Sequence, residues 1–162
     1  YRYTFTNTYI RNILSEILTD LDEKITAKNH KVNLQIAENV ENISIYCDTQ
    51  MFKLAMKNVI DNAIKFTNSF GEIDITAEID AQQNLLIKVK DNGIGIQIDD
   101  KTKIFNKFMQ IEDLNYHGEG LGLGLPTAKQ IIEKGHNGAI WYENNVNSAG
   151  VTFFILIPIK QK

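Results

Sequence analysis

Between residues 73 and 89 the apolar side chains fall on every second position: Ile73, Ile75, Ala77 and Ile79, then Leu85, Ile87 and Val89. Alternation this strict predicts two strands, and residues 80–84 between them predict the connection of a hairpin with one buried face. One apolar face needs one covering layer. Apolar residues at Ile10, Ile13, Leu14, Ile17, Leu18, Leu21 and Ile25 keep the three/four spacing of an amphipathic helix, predicted over 10–25. Asp48 reads as the N-cap of a second helix over 49–66, and a third is predicted over about 123–134. Residues 32–37 and 43–46 read as two strands around a turn at 37–42. Residues 139–143 and 151–157 read as two closing strands around the turn-rich 144–150, and a short helical candidate lies near 100–105. The order α-β-β-α-β-β-α-β-β points to an α/β two-layer sandwich. Its mixed, mostly antiparallel sheet of five to six strands is covered on one face by three helices.

With 162 residues the chain is one domain's length, long enough to bury a core without staples. Seventeen Lys plus Arg against twenty Asp plus Glu leave a net charge of −3, which offers no footprint for sequence-independent nucleic-acid binding. The single cysteine, Cys47, has no internal partner, and no Cys/His cluster has zinc spacing. The longest apolar run, 151–159, has nine residues, against about 20 for a spanning helix. No signal-peptide layout is present. A soluble, intracellular type of domain is expected, and an opening Tyr1 in place of Met fits a piece cut from a longer protein.

Six of the ten glycines fall between Gly93 and Gly124. One cluster, with Gly93 and Gly95, comes directly off a strand; the other, Gly118, Gly120, Gly122 and Gly124, directly precedes a helix. Glycine lets backbone approach a ligand closely, and free N–H groups at a helix start favour anions, phosphate above all. The order matches neither GxxxxGK[ST] nor a Rossmann turn. On the second helix Asn58, Asn62 and Lys65 stand at i, i+4 and i+7, within roughly 60° of arc. Their neighbours Phe52, Ala55, Met56, Val59, Ile60 and Ala63 are apolar, so this polar stripe needs partners. Either other core groups or a nucleotide and its metal could supply them; a carboxamide oxygen suits Mg²⁺, and Lys65 is a counter-charge for phosphate.

These segments resemble a known family. Residues 58–67 (NVIDNAIKFT) resemble the N box of sensor histidine kinases, and residues 91–96 (DNGIGI) their G1 box. Residues 104–108 (IFNKF) resemble the F box, and residues 120–125 (GLGLGL) the G2 box. The resemblance covers about residues 5–160. It implies the Bergerat α/β sandwich shared by histidine kinases, DNA gyrase, Hsp90 and MutL, with ATP and Mg²⁺ as cofactors. By resemblance Asp91 would accept a hydrogen bond from the exocyclic amine of adenine, and Gly93 and Gly95 would let the loop pass the base. Asn62 would coordinate Mg²⁺, Asn58 would lie near the phosphates, and Lys65 would contact them. Phe66 would flank the adenine, with Ile96, Phe105 and Lys107 counted among the nucleotide-binding positions. Residues 107–120 would form a lid, and the amides of Gly120, Leu121, Gly122, Leu123, Gly124 and Leu125 would bind phosphate. Thr152 resembles the threonine that supports Asp91 and a water at the adenine; the alternative is a plain strand residue. Two departures from the family pattern are Pro126 and a turn at 135–138 that is one residue longer than the usual His-Gly-Gly, neither at the proposed ligand.

Where gyrase-like ATPases carry a water-activating glutamate, this chain has Asn58, an amide that cannot take a proton at neutral pH. That favours transfer to an external acceptor, by resemblance a histidine on a separate dimerisation domain, with a response regulator receiver domain further on. An ATPase of the same fold, a serine kinase of the anti-sigma-factor type and a non-catalytic ATP-responsive module are the alternatives. The domain is expected on the cytoplasmic side, whatever its parent. His30 and His136 read as surface or structural residues, Cys47 as a small packing residue and Trp141 as core. His117 lies in the lid, and Phe108 and Met109 read as its anchor or as a partner-facing patch.

Overall fold

The two alternating segments pair as expected. In the computed structural model, which describes residues 1–97, 101–106 and 124–160, strands β4 (Glu72–Ile79) and β5 (Asn84–Asp91) form an antiparallel hairpin. In chain order before them come β1 (Thr6–Thr8), α1 (Ile10–Asp20), α2 (Asp22–Ala27), β2 (Lys31–Ile36), α3 (Glu38–Glu41), β3 (Ile45–Cys47) and α4 (Thr49–Phe66). After them come a 3₁₀ turn (Lys103–Phe105), α5 (Gly124–Lys129) running into a π-helical turn (Gln130–Gly135), β6 (Ala139–Asn144) and β7 (Val151–Pro158). The main sheet has the order β2-β4-β5-β7-β6 and is antiparallel except for the β2/β4 pair; β1 and β3 form a separate two-stranded ribbon. Among the described residues no helix is long and apolar enough to cross a membrane.

Register explains the one-sided core. Leu34, Ile75, Val89, Phe153 and Tyr142 stand opposite one another across all five strands, and the last four are buried. Ile13, Leu14 and Ile17 of α1 and Phe52, Met56, Val59 and Ile60 of α4 join the same core cluster. A fully buried side chain of this size contributes about 1.5–3 kcal/mol. On β6 the inward positions are Ile140 and Tyr142, so Trp141 faces out. Contrary to expectation it is 38% exposed, stacked on Phe154 at 5.1 Å.

Three local expectations differ from the structure. Residues 37–42 are not a hairpin turn: α3 buries Val40 and lifts the chain off the sheet, so β2 lies parallel beside β4 and β3 pairs with β1. The first helix breaks at Leu21, whose backbone leaves the helical region (ψ 6°) while its side chain stays buried. The last helix widens after Lys129, which brings the adjacent Ile131 and Ile132 both into the core.

A histidine ties the end of that last helix to the start of α4. His136 is fully buried, donates from Nδ1 to the Ile131 carbonyl (2.9 Å) and accepts the Asp48 N–H at Nε2 (3.1 Å). Asp48 is the N-cap of α4, as its sequence position predicts, with Oδ1 accepting from the Met51 N–H. Its Oδ2 accepts from the Thr4 N–H and the Tyr1 hydroxyl, so one carboxylate caps the helix and fastens the N-terminal segment. Burial by itself would raise the Asp48 carboxyl, but these donors outweigh it and hold it below the ordinary value. Cys47 next to it is inert packing, its thiol pushed up to about 12 by burial.

Burial holds the His136 pKa below the ordinary 6.5, against the pull of the Ile131 carbonyl and Asp48. The unfolded chain therefore takes up this proton first. The His136 contribution is complete above about pH 6.5 and is lost as the pH falls below it, whereas that of Asp48 is lost only below about pH 4. Urea midpoints should fall between about pH 7 and pH 5, and His136→Phe should flatten that slope while lowering stability at pH 7. A wild-type midpoint constant over this window would contradict the assignment.

Candidate functional site

The inward series of β5 runs Leu85, Ile87, Val89 and then Asp91, one step further along the same face. Strand alternation thus delivers a carboxylate to the core side at the sheet's end, where it is 1% exposed. Its Oδ1 accepts the N–H groups of Gly93 (2.9 Å) and Val151 (3.2 Å). Its Oδ2 is buried and has no partner among the described residues. Burial raises the Asp91 pKa, opposed by the two backbone N–H groups and by His30 nearby.

The loop after Asp91 is seated on the end of α4. Ile94 N–H donates to the Phe66 carbonyl (3.2 Å). Gly93 approaches so closely that a Cβ there would run into that same carbonyl oxygen. Gly95 is buried, and the buried Ile96 is held at both its N–H and its carbonyl by the Asn144 side chain (3.0 and 2.9 Å). Asn145 donates to the main-chain carbonyls of Asp91 and Ala149, both at 2.8 Å. Gly150, at φ +94°, leaves no room for a Cβ against the Asp91 carbonyl.

On α4 the polar stripe is where the spacing places it. Asn58 donates to the Gly124 carbonyl (3.0 Å), joining the helix to the start of α5. Asn62 is half-buried, and its amide nitrogen is buried with no partner among the described residues. Lys65 meets Asp61 at 3.4 Å, and Asp61 also meets Lys24 at 3.0 Å, so this lysine lies on the flank of the stripe. Phe66 is 4% exposed. Phe105 packs edge-on against Phe153 with the Lys129 ammonium 5.6 Å from its ring centre, an anchor to the core. Leu125 is buried beside Gly124. Lys107, Gly120, Leu121, Gly122 and Leu123, and the lid expected over 107–120, lie outside the described residues.

Residues 47–161 match the model of the family described as histidine kinase-, DNA gyrase B- and HSP90-like ATPase. The chain belongs to this family. It is 30% identical to the catalytic domain of the histidine kinase ThkA, covering 98% of this chain and 99% of that one with a TM-score of 0.82. The same kinase in complex with the response regulator protein TrrA superposes with a TM-score of 0.76 at 30% identity, over 96% of this chain and 42% of that one. The adaptive-response sensory kinase SasA of Trichormus variabilis is 31% identical over 89% of this chain, which spans 35% of that protein.

Within this ATP-binding family the present domain has particularities that its sequence concealed. The structure does not bring Thr152 to the Asp91 carboxylate. Even positions of β7 face outward, and its hydroxyl donates to Asn145 Oδ1 (2.7 Å), reaching only the Asp91 main chain at one remove. The inward neighbour of Asp91 is Val151, which has no hydroxyl. Asn144, Asn145 and Gly150 went unnoticed inside a stretch read simply as turn-rich. Their Asn-Asn-…-Gly composition is a turn signal, and only the packing of β6 and β7 beside β5 turns it into a clamp.

Gly93→Ala should cost about 1–3 kcal/mol in urea unfolding, because neither the Phe66 carbonyl nor the loop can move aside freely. Its nucleotide affinity should fall by more than stability alone predicts. A Gly93→Ala protein with wild-type stability would contradict the close seating.

Proposed function

We propose that this domain binds Mg²⁺-ATP and donates the γ-phosphoryl group to a histidine on a separate dimerisation domain. The observation that carries the reading is Asp91: one oxygen is immobilised by two backbone N–H groups, and the other is a buried acceptor with no partner among the described residues. Adenine presents an exocyclic amine on its edge, whereas guanine presents a carbonyl that would face a second acceptor. The residues also fit a metal. Asn62 is half-buried; its Nδ2, a donor with no partner among the described residues, suits a phosphate oxygen, and its carboxamide oxygen is a hard ligand suited to Mg²⁺. Bound there, the ion would neutralise charge on the β- and γ-phosphate oxygens.

Asn58 favours transfer over hydrolysis. It is an amide spent on the Gly124 carbonyl, and it cannot draw a proton from water. An imidazole needs no such base. Its nitrogen forms the N–P bond as the bridging β–γ oxygen leaves with ADP, and its ring proton passes to solvent. Lys65, released from Asp61, would supply positive charge to the phosphates, as would the amides before Gly124. The ThkA–TrrA complex supports a response regulator as the next acceptor. The need for cellular ATP supports a cytoplasmic site of action.

Calorimetry should show ATP bound at least about tenfold more tightly than GTP, and Asp91→Asn should lose that preference, since opposed buried acceptors cost about 1–3 kcal/mol. Equal wild-type affinities would refute the base-reading role. The chain alone should not label itself with radioactive ATP: His30 and His136 are buried, and His117 is followed by Gly118-Glu119, unlike the His-Glu of the family's phosphoacceptor. Acid-labile label should appear only once a histidine-bearing dimerisation domain is supplied. Acid-labile label on this chain alone would refute that reading, and acid-stable label on a partner serine would favour a serine kinase.

A further inference from the structure

The last turn of any helix leaves carbonyls without intrahelical partners. At the end of α4 every carbonyl from Ile64 to Asn68 is taken, and nearly all by one loop. The Lys28 ammonium donates to Ile64 (2.9 Å), Lys65 (3.1 Å) and Thr67 (3.0 Å). His30 Nε2 lies 3.1 Å from the Thr67 carbonyl and 3.0 Å from that of Asn68, so this nitrogen carries the ring proton. The Gly71 N–H also reaches Asn68. The one carbonyl left over, Phe66, receives the Ile94 N–H of the loop that follows Asp91. That same oxygen is the surface against which Gly93 is pressed, and the Gly93 N–H holds Asp91 Oδ1.

Lys28 and His30 are two residues apart at the mouth of β2, far in sequence from the nucleotide motifs. The loop is tied down on its own account: Phe70 N–H donates to the Lys28 carbonyl (2.8 Å) and Lys31 N–H to the Gly71 carbonyl (2.9 Å). Lys28 also puts its positive charge at the helix C-terminus, where the helix dipole favours it. His30 is 9% exposed, so its ring cannot swing into solvent without unpacking.

We infer that Lys28 and His30 are positioning residues for base recognition: by holding the carbonyl row of α4 they set the seat of the Asp91–Gly95 loop and hence the aim of Asp91 Oδ2. A shift of the row would move Phe66 O, Gly93 and the carboxylate together, since each is bonded to or packed on the next. Both side chains would act through the carbonyl row, to which their hydrogen bonds run. The inference rests on Asp91 reading the base, and the experiment separates the two.

ATP and GTP are titrated into the 162-residue chain by calorimetry for the wild type, Lys28→Met, Lys28→Arg, His30→Leu, His30→Gln and Asp91→Asn, with thermal unfolding measured in parallel. Lys28→Met and His30→Leu should weaken ATP more than GTP, shrinking the preference about tenfold. Lys28→Arg and His30→Gln, which keep an N–H at similar reach, should restore most of it. A merely structural role would lower the melting temperature and leave the preference intact; a wild-type preference in both Lys28→Met and His30→Leu overturns the inference alone. An Asp91→Asn protein that keeps the preference overturns the base-reading role and the inference with it. If Lys28→Met does not fold, the contrast between His30→Leu and His30→Gln decides: equal loss in both, or none in either, counts against the inference.

Discussion

Much of this domain follows from one close approach, that of Gly93 to the Phe66 carbonyl. Two elements meet there that share no other reason to be in register: the C-terminus of α4 and the end of β5. Only a residue without a side chain permits the contact, and a hydrogen bond from Ile94 locks it. Because Asp91 lies two residues before Gly93 and bonds to it, the helix end fixes where a buried carboxylate points. The polar stripe of Asn58 and Asn62 sits on that same helix. The proposed base-reading and phosphate-binding residues thus share one helix and its seated loop.

The two ends of α4 are fastened by different chemistry. At the N-terminus a single acid, Asp48, caps the helix and draws in the N-terminal segment, while His136 receives the Asp48 N–H from the far side. At the C-terminus a lysine and a histidine do the converse work on carbonyls. Each arrangement matches the sign of the helix dipole at that end. At the N-terminus the buried side-chain atoms of Asp48 and His136 all have partners, the condition under which such groups specify geometry instead of destabilising it.

On a fold shared by ATPases and kinases the choice of activity lies in few atoms. The domain belongs to the histidine kinase-, gyrase- and HSP90-like family. Its helix offers an amide at Asn58, already engaged with Gly124, where water activation would need a base. Positioning and electrostatics are what phosphoryl transfer asks of a protein, and an amide at Asn58 is compatible with that demand.

Local pattern determined much of this. Strict alternation in residues 73–89 made β4 and β5 legible, and three/four spacing with an Asp48 cap made α4 legible to the residue. The glycine clusters and the Asn58/Asn62/Lys65 stripe are legible as candidates because they sit on short contiguous motifs. Other features depended on partners distant in sequence. Whether residues 32–36 pair with 43–46 or with β4 is a choice between strands that the alternation of either cannot express, since burial of Val40 decided it. Trp141 looked like core by size, but its parity on β6 put it outside. Thr152 stands on the outward face of β7, away from the Asp91 carboxylate, and Asn145, Lys28 and His30 bear no local signal of the distant carbonyls they bond. A side chain's partner at the end of another element is set by how layers pack, and that information exists only once the helices have closed over the sheet.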